Sequence, residues 1–215
     1  FHGQKGHYGV ALLYRLPLID SQKGFPHDSD ESQKRLITGR FQFSDKKITV
    51  LNGYFPQGES RAHDLKYPYK RKFYSDLAEH LDQKHNPNDL LLVIGDMNIA
   101  PTDLDIGIAK ESKQRWLRTG KCCFLPEERE WLQKIEKWGL TDAYRHFYPK
   151  ETNRLSWFDY RSRGFEMNPK RGLRIDLILA SKPAIEITTD AGIDHAIRGM
   201  EKPSDHCPIW ITLDN

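Results

Sequence analysis

The 215-residue sequence predicts an α/β sandwich, with sheets packed face to face and helices outside. Three observations carry this. Strand-like segments outnumber helical ones, and long irregular connections separate them. The run Leu90–Leu91–Leu92–Val93–Ile94 is continuously apolar, as a strand buried on both faces should be. No repeat, Ser/Gly linker or low-complexity tract divides the chain, so one domain spanning 1–215 is expected.

Taken in order, Val10 to Leu13 is a short apolar strand. Arg35 to Phe43 alternates, with Leu36, Phe41 and Phe43 among polar residues, and Lys47 to Tyr54 carries Ile48, Thr49 and Val50. Ser44–Asp45–Lys46 between them has the make-up of a hairpin turn, and 28–34 reads as an exposed loop. Phe73, Tyr74, Leu77, Ala78 and Leu81 share one helical face, and Trp131, Leu132, Ile135 and Trp138 share another. Around the second, Pro126, Glu127 and Glu128 mark a start and Gly139 a stop. Ile175 to Ala180, Ile185 to Thr189 and Ile209 to Leu213 complete the predicted strands.

Composition narrows the classes. With 38% hydrophobic and 29% charged residues the chain is polar but globular. Its apolar runs are too short to cross a bilayer and no secretory leader is evident, so a cytoplasmic protein with no membrane partner is expected. Cys122, Cys123 and Cys207 match no zinc spacing and read as reduced thiols. A net charge of +3 permits a nucleic-acid partner without demanding one. The chain opens Phe1–His2–Gly3 without Met and leads directly into a strand. An N-terminal piece is therefore expected to be missing from it.

Four polar constellations sit at strand ends. Gly95–Asp96–Met97–Asn98 follows the buried strand. In extended backbone Asp96 and Asn98 project to one side, the carboxylate able to bind a hard cation and the amide to donate to a phosphoryl oxygen. Gly, Asp and Asn are also the ordinary turn residues, which alone is the commoner reading. Ser204–Asp205–His206 precedes the last strand and supplies a cation ligand and a near-neutral acid/base, or else a turn cap. Asp176 interrupts an apolar strand and needs a partner: a histidine whose tautomer it fixes, or Arg174 or Arg171. Tyr54 ends a strand in Asn52–Gly58, where its hydroxyl meets a phosphate or merely sits at a rim. Together these side chains are the inventory for in-line attack of water on a phosphodiester, and two acids with an amide suit Mg²⁺.

These motifs resemble the endonuclease/exonuclease/phosphatase superfamily and, more narrowly, the exonuclease III family. The similar stretches are spread over the whole chain. The long runs Gly95–Gly107 (GDMNIAPTDLDIG) and Arg118–Trp131 (RTGKCCFLPEEREW) are the specific ones. The resemblance implies a four-layer DNase I-like sandwich of two mixed sheets. It implies a Mg²⁺- (or Mn²⁺-) dependent 3′-to-5′ exodeoxyribonuclease and abasic-site endonuclease of base-excision repair. The expected substrate is double-stranded DNA with abasic sites or 3′ ends, bound by a monomer. It assigns catalysis to Tyr54, Asp96, Asn98, Asp176 and His206, and the metal to Asp96, Asn98, Asp205 and His206. Gln57, Trp157, Leu173, Arg115, Arg118 and Lys121 would contact DNA, with Trp157 and Leu173 lining a pocket for a base-less sugar.

The family also carries two motifs ahead of the position of Phe1, one with an Asn and one with a metal-binding Glu. Neither is found here, and the family's first strands are expected to be missing with them. Two other functions stay open: a superfamily phosphatase acting on inositol phosphates or phospholipid headgroups, and a DNA-binding remnant without catalysis.

Overall fold

A computed structural model describes residues 1–214. Its centre is a six-stranded mixed sheet in the order β3 (Leu18–Lys23), β4 (Leu36–Phe43), β5 (Lys46–Tyr54), β6 (Leu90–Asp96), β8 (Asp176–Ser181) and β7 (Leu140–Asp142). Only β5 and β6 run parallel, joined by helix α1 (Lys66–Lys84); every other neighbouring pair is antiparallel. Two small antiparallel ribbons accompany it, β1 (His2–Gly3) with β2 (Gly9–Val10), and β9 (Thr188–Ile193) with β10 (Ile209–Leu213). The helices are completed by α2 (Lys110–Thr119), α3 (Pro126–Lys137) and the short α4 (Ala143–Phe147), α5 (Lys182–Glu186) and α6 (His195–Arg198). No described helix is long and apolar enough to cross a membrane.

The continuous run of β6 is apolar because both its faces are covered. Leu91 and Val93 pack with Leu51, Leu177 and Leu179 against Phe73, Leu77 and Leu81 of α1 and Leu132 and Ile135 of α3. Leu90 and Leu92 point the other way, into a cluster with Phe41, Ile48 and Ala180, which Ile211 and Leu213 of β10 approach. The architecture is therefore α/β, a multi-stranded mixed sheet flanked by helices with a smaller second sheet across from it.

Several local expectations change. The strand at Val10–Leu13 pairs only at Gly9–Val10. The Ile185–Thr189 strand is instead the end of α5 followed by β9, displaced because Pro183 starts a helical turn. Helix α1 starts at Lys66, about two turns ahead of the apolar face that begins at Phe73, with Pro68 tolerated in its first turn. Strand β3 and helix α2 have no apolar stripe for a periodicity reading to find: all six β3 residues are exposed and α2 buries none. The three cysteines are buried and form no disulfide.

Candidate active site

Strand register places three predicted residues in one row. Tyr54 at the end of β5 stands beside Asp96 at the end of β6, and Asp96 stands beside Asp176 at the start of β8. Gly95 permits this row: it sits at φ +132°, and a Cβ there would lie 1.9 Å from the Gly53 carbonyl oxygen on the neighbouring strand. Only glycine accepts that combination.

Asn98 reaches Asp96 by a route other than the expected strand alternation. Its φ is +52°, so the chain turns left-handed there, a conformation Asn tolerates better than most residues. The turn folds the carboxamide back: Nδ2 donates to Asp96 Oδ2 at 2.8 Å and to the Phe55 carbonyl at 3.0 Å, and the Asn98 backbone N–H donates to Asp96 Oδ1 at 3.0 Å. Cys123 Sγ lies 3.7 Å from Asn98 Oδ1. Asp96 is thus already held by two donors.

Of the partners open to Asp176, the structure selects the histidine. His206 Nδ1 lies 2.9 and 3.0 Å from its two oxygens. Arg174 instead grips Asp105 and Asp142, each at 2.6 Å, because its own side chain is fully buried and needs both charges. Ser156, also fully buried, accepts the backbone N–H of both Ile175 and Asp176 at 3.0 Å and so fixes where β8 begins. Ligand atoms of Asp96, Asp176 and His206 all lie within 4.8 Å of one another.

The electrostatics follow from this crowding. Burial, and then the neighbouring Asp176 carboxylate, hold the Asp96 carboxyl well above the usual range. Burial by itself would lower the His206 imidazole, but its hydrogen bond to Asp176 and the charges of Asp176, Asp96 and Asp205 outweigh that and raise it to about 9. His206 is therefore an imidazolium at neutral pH, with Nδ1–H donating to Asp176.

A second band of contacts sets the wall beside it. Trp157 and Leu173 exchange backbone hydrogen bonds of 2.8 and 2.9 Å, and Trp157 also bridges to His206. The Trp157 indole N–H donates to Asp205 Oδ2 at 3.0 Å. A cleft of about 580 Å³ opens over the row, lined among others by Tyr54, Gln57, Asp96, Asn98, Trp157, Leu173 and His206. Arg115 and Lys121 of the predicted backbone contacts also line it.

Arg118, Asp176 and Asp205 do not line this cleft. Arg118 lies exposed on α2, Asp176 stands behind His206, and Asp205 lies outside the group of converging ligand atoms. Arg161 and Arg171 were not among the residues expected to contact DNA, yet both face the cleft, so four Lys and Arg side chains, besides His206, meet two acidic ones, Asp96 and Asp159, on its walls. Their signal in the sequence was only density of positive charge between 161 and 171. Arg35 was missed as well: it stacks under the Tyr54 ring, 4.7 Å from its centroid, and donates to the Tyr54 carbonyl at 3.0 Å. A basic residue opening a predicted strand carries no sign of such a role.

Fold and site together define a class. The endonuclease/exonuclease/phosphatase family model matches residues 1–206, and the chain belongs to that family. Within it, the chain is 54% identical to exodeoxyribonuclease III of Haemophilus influenzae over 97% of its own length and 78% of that protein's. Among solved structures it resembles a 3′-5′ exonuclease from Neisseria meningitidis, at 32% identity and a TM-score of 0.79, over 93% of this chain and 73% of that one. An AP endonuclease from Archaeoglobus fulgidus is also similar, at 30% identity and a TM-score of 0.81, over 93% of this chain and 72% of that one.

Proposed function

We propose that this chain is a metal-dependent DNA phosphodiesterase, acting as a 3′-to-5′ exodeoxyribonuclease and abasic-site endonuclease in base-excision repair. The observation that carries it is the convergence of Asp96, Asp176 and His206 within 4.8 Å, under a cleft whose walls hold four Lys and Arg side chains. The similarity to exodeoxyribonuclease III supports the same reading.

The roles follow from the geometry. In-line attack of water gathers negative charge on the phosphoryl oxygens, and groups aimed there lower the barrier selectively. His206, cationic and steadied by Asp176, donates from Nε2 to a phosphoryl oxygen; the Tyr54 hydroxyl approaches the same group. Asp96 takes the proton of the attacking water or returns one to the leaving oxygen, and its raised pKa suits either duty. Asn98 orients Asp96 through its carboxamide. Trp157 and Leu173 shape a pocket that admits a base-less sugar, Gln57 contacts a phosphate, and Arg115, Lys121, Arg161 and Arg171 hold the backbone.

A divalent cation fits the carboxylate oxygens of this site in type. Mg²⁺ takes oxygen ligands and keeps several waters, and Mn²⁺ accepts the same set. Asp96 is the acid best placed to hold it; Asp205, the other acid the resemblance implies for the metal, stands outside the converging group and accepts the Trp157 indole N–H. His206, with Nδ1 turned to Asp176, faces the phosphate through Nε2, and Asn98, its two amide protons taken by Asp96 and Phe55, orients Asp96. A bound cation would supply charge neutralisation at the phosphoryl group. The proposal extends to a monomer in the cytoplasm.

The test compares Mg²⁺-dependent incision of an abasic-site duplex with phosphate release from soluble inositol phosphates. Preference for the inositol phosphates would replace this function with the phosphatase. For the roles, Asp96→Asn should lower incision by ~10³ or more while duplex affinity survives. Near-normal turnover in that variant would remove Asp96 from the mechanism.

A further inference from the structure

The turn that carries Asn98 is gripped from beneath by helix α1. The Tyr74 hydroxyl donates to the Met97 carbonyl at 2.7 Å, and Lys70 Nζ donates to the Asn98 carbonyl at 2.8 Å. Lys70 and Tyr74 are four residues apart and so lie one above the other on the same helical face. Two donors one turn apart thus hold two consecutive carbonyls, which the left-handed conformation of Asn98 turns toward the helix.

Lys70 is wholly buried, and so is its counter-charge, Glu128 of α3, which also accepts the Leu125 backbone N–H at 2.8 Å. The Lys70 stem runs beneath Gly58, where a Cβ would come within 2.9 Å of Lys70 Cδ. One side chain therefore crosses between α1, the loop after Tyr54, the Asn98 turn and α3. A buried ion pair is weak evidence of stability, because well-packed apolar residues often serve as well. Its placement has another consequence: what it and Tyr74 fix is the backbone from which the Asn98 amide reaches Asp96 Oδ2.

We propose that Lys70 and Tyr74 are positioning residues for the candidate active site. They clamp the Met97–Asn98 carbonyls so that Asn98 holds Asp96 in its reactive geometry, and Glu128 keeps Lys70 charged in the interior. This rests on the nuclease function proposed above. Neither residue lines the cleft, so neither touches substrate.

The test uses the full-length protein on an abasic-site duplex with Mg²⁺. Tyr74→Phe removes one hydroxyl and leaves the packed ring. Lys70→Met with Glu128→Gln removes both charges and keeps an acceptor for Leu125. In each, kcat should fall roughly 10–100-fold, as it does when groups supporting a catalytic side chain are lost. KM, duplex affinity and melting temperature should stay near wild type, a split that a merely structural role does not produce. Folded variants with unchanged kcat overturn the proposal, and should the charge-free pair not fold, Tyr74→Phe alone decides. A wild-type protein that cleaves nothing refutes the nuclease function instead. Hydrogen exchange of the Asn98 side-chain amide, followed by NMR, then decides: faster exchange in the variants supports the clamp, and unchanged exchange overturns it.

Discussion

Asp176 shows how one residue exchanges stability for chemistry. A carboxylate opening an otherwise apolar strand is costly unless paired, and its two oxygens both face His206 Nδ1. The amide of Asp176→Asn keeps the shape and loses the charge, so His206 is no longer held as an imidazolium at neutral pH. The expected outcome is a loss of ~10²–10³ in kcat with duplex affinity retained, measured by single-turnover incision. The need for a partner was legible in the sequence; its identity was not. Arg174, two residues away, and Arg171 were the lesser candidates beside a histidine, and the fold turns Arg174 toward Asp105 and Asp142.

At the scale of the element, strand β6 is the frame on which the site hangs. Its apolar run was readable because both faces are buried, and the polar end was readable as Gly-Asp-Met-Asn. What no pattern disclosed is that Gly53 and Gly95 pair across the strands so closely that a methyl group cannot enter. Gly95→Ala should therefore destabilise the protein by ~2–4 kcal/mol, with activity falling further than stability because the row of Tyr54, Asp96 and Asp176 is displaced. Chemical denaturation and turnover at a temperature where the variant is folded check both parts. Strand β3 and helix α2 mark the limit of such reading. Strand β3 is exposed and stays in place through backbone pairing with β4, while α2 buries no residue fully and is docked by the single ring of Trp116, stacked on Phe124 at 5.5 Å, ahead of the left-handed stop at Gly120.

On the scale of the whole molecule, buried charge ties the sheet to the helices. Arg174 joins Asp105, after the site loop, to Asp142 at the end of β7, and all three are nearly or fully buried. Arg174→Leu leaves two interior carboxylates without it and should cost ~3–5 kcal/mol, read as a lowered denaturation midpoint. Glu136 of α3 gives stability a pH dependence. Burial, and then the nearby Asp142 charge, raise its carboxyl from 4.5 to about 7. The folded protein thus binds that proton more tightly than the unfolded chain. Its penalty is absent below 4.5, grows between 4.5 and 7, and is complete above 7. The side chain is partly exposed, so the effect is discounted to ~1 kcal/mol. Glu136→Gln should raise Tm by about 2–4 °C above neutrality and not at all in acid, as calorimetry across pH would show.

The family resemblance, the α/β class and the four polar motifs were determined by the sequence itself, because each depends on neighbours a few residues apart: alternation, a continuous apolar run, a short string of Gly, Asp, Asn and His. The tertiary structure alone decided how those motifs meet. Strand register set Tyr54, Asp96 and Asp176 in one row, the left-handed turn swung Asn98 back onto Asp96, and burial chose His206 over Arg174 as the partner of Asp176. Register, turn handedness and competition for a buried charge are settled by packing between segments far apart in the chain, and local pattern carries no record of it.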